Sequence, residues 1–325
     1  MRQAKMMILV AGTGRCGSTP LAEVIARHPD VGFVSNLDDK LPRLNLRGRF
    51  NKSLYRRSGP RDPRLRPFRD RRRLIEAGRI RIAPSEAWNV LDHQIGPMFS
   101  TPCRDLLASD LTLWLEERIR RFFERRMQAQ GTKHFVQHLT GWPRTGLLQA
   151  VFPDTRVVHV VRDGRAVANS WLQMGWWNGW EGPSKWYLGP LPPAYQEEWE
   201  QSGRSFVLLA GLGWKLLIDA FEAARFATDP SRWIDVRYED LLADPRGELE
   251  RVSVFLGLDW GGAFDASFSR YSFPASRAEA FRRELDAESL GLLDTSLGAH
   301  LGRWGYETAQ SARGDREAHR ATWGS

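Results

Sequence analysis

Residues 6–19 read Met-Met-Ile-Leu-Val-Ala-Gly-Thr-Gly-Arg-Cys-Gly-Ser-Thr. The apolar run from Met6 to Ala11 has the length and composition of a buried strand. Three glycines, Gly12, Gly14 and Gly17, then interrupt it. Beyond them Leu21, Val24 and Ile25 follow a helical period, and Pro20 falls where the first turn would be. Proline suits that turn, because its missing N–H would have no helical partner there. A strand that breaks into a glycine loop and re-forms as a helix leaves backbone N–H groups and the positive helix end converging on one point. Arg15 adds a full positive charge inside the loop. The unit is built to hold phosphate or a similar oxyanion.

Three kinds of loop share this outline. A Walker A loop needs lysine after its second glycine. Gly12 and Gly17 have the spacing, but Ser18 stands where the lysine belongs, and a Mg-ATP site would lack its main cation. The dinucleotide fingerprint G-x-G-x-x-G is matched by Gly12, Gly14 and Gly17, with Asp38 or Asp39 at the distance of a ribose-binding acid. The third kind needs a second anion site. Arg156 to Val161 reads as another buried strand, followed by Arg162-Asp163-Gly164-Arg165-Ala166-Val167-Ala168-Asn169-Ser170. An arginine at a strand end and a hydroxyl two helical turns on can grip one phosphate together.

With both motifs in place the chain resembles the PAPS-dependent sulfotransferases, which use 3′-phosphoadenosine 5′-phosphosulfate. Residues 12–19 match that family's 5′-phosphosulfate loop. Arg162 and Ser170 match its 3′-phosphate pair at the same eight-residue spacing. Phe152-Pro153-Asp154, Arg237-Tyr238-Glu239-Asp240-Leu241-Leu242 with Asp244-Pro245, and Phe255-Leu256-Gly257-Leu258 extend the similarity across roughly residues 6–38 and 133–258.

The resemblance implies a P-loop-like α/β fold with a parallel β-sheet flanked by helices. It also implies PAPS as co-substrate and in-line sulfuryl transfer to a hydroxyl, with no metal required. Cofactor contacts then fall on Gly14, Arg15, Cys16, Gly17, Ser18, Thr19, Arg162 and Ser170. Arg15 takes the place of the loop cation that stabilises the leaving phosphate. Cys16 reads as a small residue tolerated in the loop rather than a catalytic thiol. The acceptor needs a base. His138 follows an extended segment where cytosolic sulfotransferases carry a catalytic histidine, although Val136 and Gln137 replace the usual Lys-Thr. Another branch uses a glutamate just after the second strand. Here Asn36 fills that place, and Asp38 or Asp39 is the alternative base. Glu239 and Asp240 read as carboxylates that stabilise the fold.

The remaining sequence bounds the picture. The chain has 325 residues, 42% of them hydrophobic, enough for one large α/β domain over 1–308 with a polar tail at 309–325. No run of eighteen apolar residues suggests a membrane span. The N-terminal apolar run is read as the first strand rather than a signal peptide, and two cysteines give no disulfide framework, so a cytoplasmic setting is expected. Net charge is +8, and much of the excess lies between Arg43 and Arg81. This Arg-rich stretch, inside an irregular insert at 40–105, is expected to cover the site. It reads either as a solvated, partly mobile insert or as a surface that attracts an anionic acceptor or an anionic membrane, and no motif accompanies it that would suggest nucleic acid.

The helix–strand pattern places helices at 19–27, Asp110–Gln130 (capped by Asp110, stopped by Gly131), 144–151, 164–174, 194–227 with a break at Gly203 or Gly211, and 246–256. Strands are expected at 31–35, 135–139, 156–161 and 233–236. The tryptophans Trp171, Trp176, Trp177, Trp180 and Trp186 crowd the loop after Ser170. They pack a core or lid, or stack on a carbohydrate, glycolipid or natural-product acceptor. A Rossmann oxidoreductase, or a non-catalytic nucleotide-binding protein of the same fold, are the competing classes. The oligomeric state is not written in the sequence.

Overall fold

The structure, a computed structural model, describes residues 6–57, 82–273 and 278–307, with the backbone of 75–76 and 79–80. Its centre is a five-stranded parallel sheet in the order β2-β3-β1-β4-β5. The strands are β1 (Met6–Gly12), β2 (Val31–Phe33), β3 (His134–Thr140), β4 (Arg156–Val161) and β5 (Trp233–Arg237). β1 pairs with β3 from Met6↔His134 to Gly12↔Thr140, and with β4 from Ile8↔Arg156 to Gly12↔Val160.

All seven residues of β1 are buried. Strand alternation sends them to two cores. Met6, Ile8 and Val10 join Leu21, Val24 and Ile25 of helix Ser18–Ile25, with Leu249, Val252 and Leu256 of helix Pro245–Leu256. Met7, Leu9 and Ala11 join Leu115, Ile119, Phe122 and Phe123 of helix Leu113–Gln130. Burial on both faces is what an almost continuous apolar strand requires. The chain leaves β1 toward β2, then crosses from β3 over β1 to β4. Strand order therefore reverses around β1, which opens a crevice at the carboxyl ends of the central strands.

A third core supports the helix that follows β4. Trp171 of helix Gly164–Leu172 packs with Trp214 and Leu217 of helix Phe206–Phe226 and with Leu293, Leu297 and Leu301 of helix Ala287–Arg303. Arg165 bolts these elements together, donating to both Asp163 oxygens (3.0 and 2.6 Å) and to Asp294 Oδ1 (2.7 Å).

Some sequence expectations are revised, and the break expected at Gly203 or Gly211 falls at Gly203. Helix Leu113–Gln130 is capped by Thr112, whose side chain accepts from Leu115 N–H, while Asp110 is paired with Arg104 at 2.8 Å. The long pattern at 194–227 divides into Pro193–Gln201 and Phe206–Phe226, because Gly203 and Arg204 both take left-handed backbone. Gly211 stays helical, and a Cβ there would lie 2.6 Å from Leu293 Cδ2. The described part of the insert is less irregular than expected, with helices Asn51–Arg57, Trp88–Gln94 and Pro97–Ser100. Most of its arginine-rich stretch, and the polar tail, lie outside the described residues. No described helix is long and apolar enough to cross a membrane.

Candidate active site

β1 ends at Gly12, and the loop that follows carries left-handed backbone at Gly14 (φ 84°), Arg15 (φ 57°) and Gly17 (φ 89°). Such a run turns successive N–H groups toward one side and forms an anion-binding concavity. Gly17 is the N-cap of helix Ser18–Ile25 and offers no side chain to its first N–H groups. Any side chain at Gly17 would collide with the ring of Tyr238. The glycine is thus required twice, by its φ and by the close approach of the tyrosine.

Three residues flagged by the sequence meet here. Arg15 Nε donates to Ser170 Oγ at 2.9 Å. Arg162, at the end of β4, donates from Nη1 to the Arg15 carbonyl at 3.0 Å. Its guanidinium carbon lies 4.7 Å from the centroid of the Tyr238 ring. The loop and the Arg162–Ser170 pair therefore form one cationic surface, although 155 residues separate Arg15 from Ser170. Thr19 lies in the helix's first turn. Cys16 is fully buried, burial pushes its thiol pKa up, and Sγ lies 3.5 Å from Ser18 Oγ. A neutral packed thiol agrees with its reading as a small residue.

His138, on β3, is buried, and its Nε2 lies 2.8 Å from Ser18 Oγ. It therefore borders the anion loop. Asp38 is placed differently. Its Oδ2 accepts from Ser35 N–H (3.0 Å), Ser35 Oγ (2.7 Å) and Asn51 Nδ2 (3.1 Å), and its Oδ1 accepts from Gly48 N–H (3.0 Å). Asp39 accepts from the N–H groups of Asn89 (2.8 Å) and Val90 (3.2 Å). Both carboxylates staple the insert to the end of β2, and neither is open to a ribose as the dinucleotide reading needs. Glu239 bridges Asp163 N–H (3.3 Å) and the Tyr306 hydroxyl (2.8 Å), as a fold-stabilising carboxylate should.

Two features went unread in the sequence. Glu86 enters from the insert, and its Oε1 lies 3.9 Å from His138 Nε2. The indole N–H of Trp171 is buried with no hydrogen-bond partner among the described residues, 3.9 Å from where a Cβ on Gly14 would stand. A buried donor left unpaired beside an anion loop fits a ligand that supplies the acceptor. Trp171 also packs edge-on to Trp176, which packs edge-on to Tyr187 (centroids 5.9 and 5.7 Å). Trp177 and Trp186 are buried in the third core, while Trp180 is exposed.

A parallel sheet with a glycine loop that runs into a helix at the end of its central strand, and Arg162 and Ser170 beside it, has the architecture of a P-loop-like α/β protein. The model of the sulfotransferase family matches residues 8–262, and the chain belongs to that family. The omega-hydroxy-beta-dihydromenaquinone-9 sulfotransferase Stf3 of Mycobacterium bovis is 25% identical over 178 residues, 52% of this chain and 41% of that protein. The chain thus spans about two fifths of the length of the curated relatives it matches. Among solved structures, sulfotransferase STF9 from Mycobacterium avium superposes with a TM-score of 0.51 at 16% identity, covering 94% of this chain and 78% of that one. The sulfotransferase domain from the curacin biosynthetic pathway gives 0.50 at 12% identity, over 95% and 100%. These two likenesses establish the fold.

Proposed function

We propose that the protein transfers the sulfuryl group of PAPS to a hydroxyl of a small-molecule acceptor. The observation that carries this reading is the junction of Arg15, Ser170 and Arg162, at 2.9 and 3.0 Å, on the loop after β1. A nucleotide with phosphate at both its 5′ and 3′ positions uses both halves of that surface. The backbone of Gly14 to Thr19 holds the 5′-phosphate and sulfonate, with the Ser18 and Thr19 hydroxyls beside it. Arg15 balances the charge that develops on the leaving phosphate, and Arg162 with Ser170 holds the 3′-phosphate. Positioning and charge stabilisation account for most of such a transfer.

His138 takes the acceptor's proton in this reading, since it stands against Ser18 whereas Asp38 is committed to four hydrogen bonds. Trp176 and Tyr187, backed by the buried Trp171, offer an aromatic wall, which favours a natural-product or glycolipid alcohol over a free sugar. The Mycobacterium bovis relative is named for a hydroxylated menaquinone, an acceptor of that kind. Exposed Leu41, Leu44 and Phe50 among Lys40, Arg43 and Arg49 support an anionic membrane surface as a second partner. Co-sedimentation with phosphatidylserine vesicles, absent with neutral ones, tests that contact.

The main test incubates the protein with sulfur-labelled PAPS and a panel of terpenoid and aromatic alcohols, glycolipids and sugars. Label should move to at least one alcohol. Absence of both transfer and binding of adenosine 3′,5′-bisphosphate (PAP) would remove the proposal.

A further inference from the structure

Glu86 belongs to none of the sequence motifs, yet its carboxylate faces the reacting edge of His138. Oε1 lies 3.9 Å from His138 Nε2, beyond direct hydrogen-bonding reach. At that separation one oxygen atom can contact both groups. Ser18 Oγ stands 2.8 Å from the same Nε2, so the point between imidazole and carboxylate adjoins the anion loop.

The carboxylate is held in place. Oε1 accepts from Thr140 Oγ1 (3.1 Å), and Oε2 accepts from Trp88 Nε1 (2.8 Å). The Glu86 carbonyl accepts from Gln137 Nε2 (3.1 Å). The segment before it is clipped to the end of β2 by a Ser35–Pro84 bridge, by Ser85 N–H on the Val34 carbonyl (3.0 Å), and by Ala83 N–H on Asn36 Oδ1 (3.1 Å). Asn36 cannot act as a base, but it helps to bring in a glutamate from fifty residues away.

We propose that Glu86 and His138 form one proton-accepting unit whose facing atoms grip the acceptor hydroxyl, a role that rests on the sulfuryl-transfer reading above. A lone pair of the acceptor oxygen forms the new O–S bond. The bond from sulfur to the bridging oxygen breaks, and its electron pair leaves with the phosphate beside Arg15. The hydroxyl proton passes to Nε2, and the imidazolium so formed lies against the Glu86 carboxylate. The products are the sulfate ester, PAP, and one proton that His138 later releases to water.

The other groups around this pair are Ser18 and Cys16 in the loop, Thr140 on β3, Tyr187, and Arg144, whose positive charge acts on Glu86. The Cys16 thiol and Tyr187 phenol are both shifted up and neutral at pH 7, and burial lowers Arg144 only to about 10, still a cation there. Such a unit matters most for an aliphatic alcohol, whose proton must be removed, and least for a phenol that is already ionised.

Water serves as a universal acceptor for the test. Release of PAP from PAPS is followed from pH 5 to 9 in wild type, Glu86→Gln and Glu86→Asp, with calorimetric titration of PAP in parallel. Glu86→Gln should bind PAP within about threefold of wild type and release it about 10- to 100-fold more slowly. Its acid limb should move about one pH unit lower, because the imidazolium has lost its counter-charge. Glu86→Asp keeps the charge but withdraws it, so its limb should stay while its rate falls several-fold. It carries the test if the glutamine variant does not fold. Equal rates and limbs in wild type and Glu86→Gln, or an unchanged rate in Glu86→Asp, overturn the proposal. Failure of the wild type to bind PAP overturns instead the reading beneath it.

Discussion

Replacing Arg162 by alanine should weaken binding of PAP far more than binding of adenosine 5′-phosphate. Arg162 is poised at the end of β4, with Nη1 3.0 Å from the Arg15 carbonyl and its guanidinium over Tyr238. The bisphosphate loses a charge-assisted contact, which contributes about 1.5–3 kcal/mol. At about 1.4 kcal/mol per decade, that is about a 10- to 150-fold loss of affinity. The monophosphate has no group at that position. It feels only the loosened loop, where one bond to a neutral carbonyl contributes about 0.5–1.5 kcal/mol, or about two- to tenfold. Ser170→Ala should show the same bias with a smaller loss, since a hydroxyl brings no charge. Calorimetry with both nucleotides at one fixed salt concentration measures the difference. Equal losses would refute the assignment of this pair to the 3′-phosphate.

Arg165→Leu should destabilise the fold by about 3–5 kcal/mol in urea denaturation, because it strands the buried Asp163 and Asp294 carboxylates. Ellman's reagent should find one fast thiol, the exposed Cys103, in the native protein. The second, Cys16, should react only after denaturation, since burial raises its pKa. Lys52 donates to the carbonyls of Ala26 (3.1 Å) and Val31 (2.7 Å), but burial, reinforced by Arg56, lowers its ammonium to about 7. Between that value and the ordinary 10.5 the unfolded chain holds more protons than the folded one. Stability should therefore rise with pH across this window, by roughly 2 kcal/mol between pH 7 and 9. Lys52→Met should remove that part of the slope, which denaturation at the two pH values would show.

What the sequence disclosed follows physical scale. The strand of residues 6–12 and its loop were legible, because an apolar run, a glycine spacing and a helix start are local signals. Arg162 and Ser170 could be proposed as a pair from sequence because one strand–helix unit carries both within eight residues. Their contact with Arg15 could not be, because it depends on β1 and β4 lying side by side. Glu86 was hidden for the same reason: contacts between the insert and the end of β2, at Ala83, Pro84 and Ser85, place it. Asp38 is ambiguous in the sequence because a carboxylate after a strand looks the same whether it waits for substrate or staples backbone N–H groups. Helix Ala287–Arg303 was missed although Leu293, Leu297 and Leu301 mark its buried stripe, since Gly291, Gly298 and Gly302 depress helix propensity along it. Asp110 reads as the cap in the sequence because its pairing with Arg104 and with Leu107 N–H is not visible to capping rules.

The most direct test is a crystal structure of the protein soaked with PAP. The 5′-phosphate should lie on the backbone N–H groups of Gly14 to Thr19, and the 3′-phosphate should lie between the Arg162 guanidinium and the Ser170 hydroxyl. A 3′-phosphate turned to solvent, or a nucleotide bound away from the loop after β1, would contradict the assignment of this site.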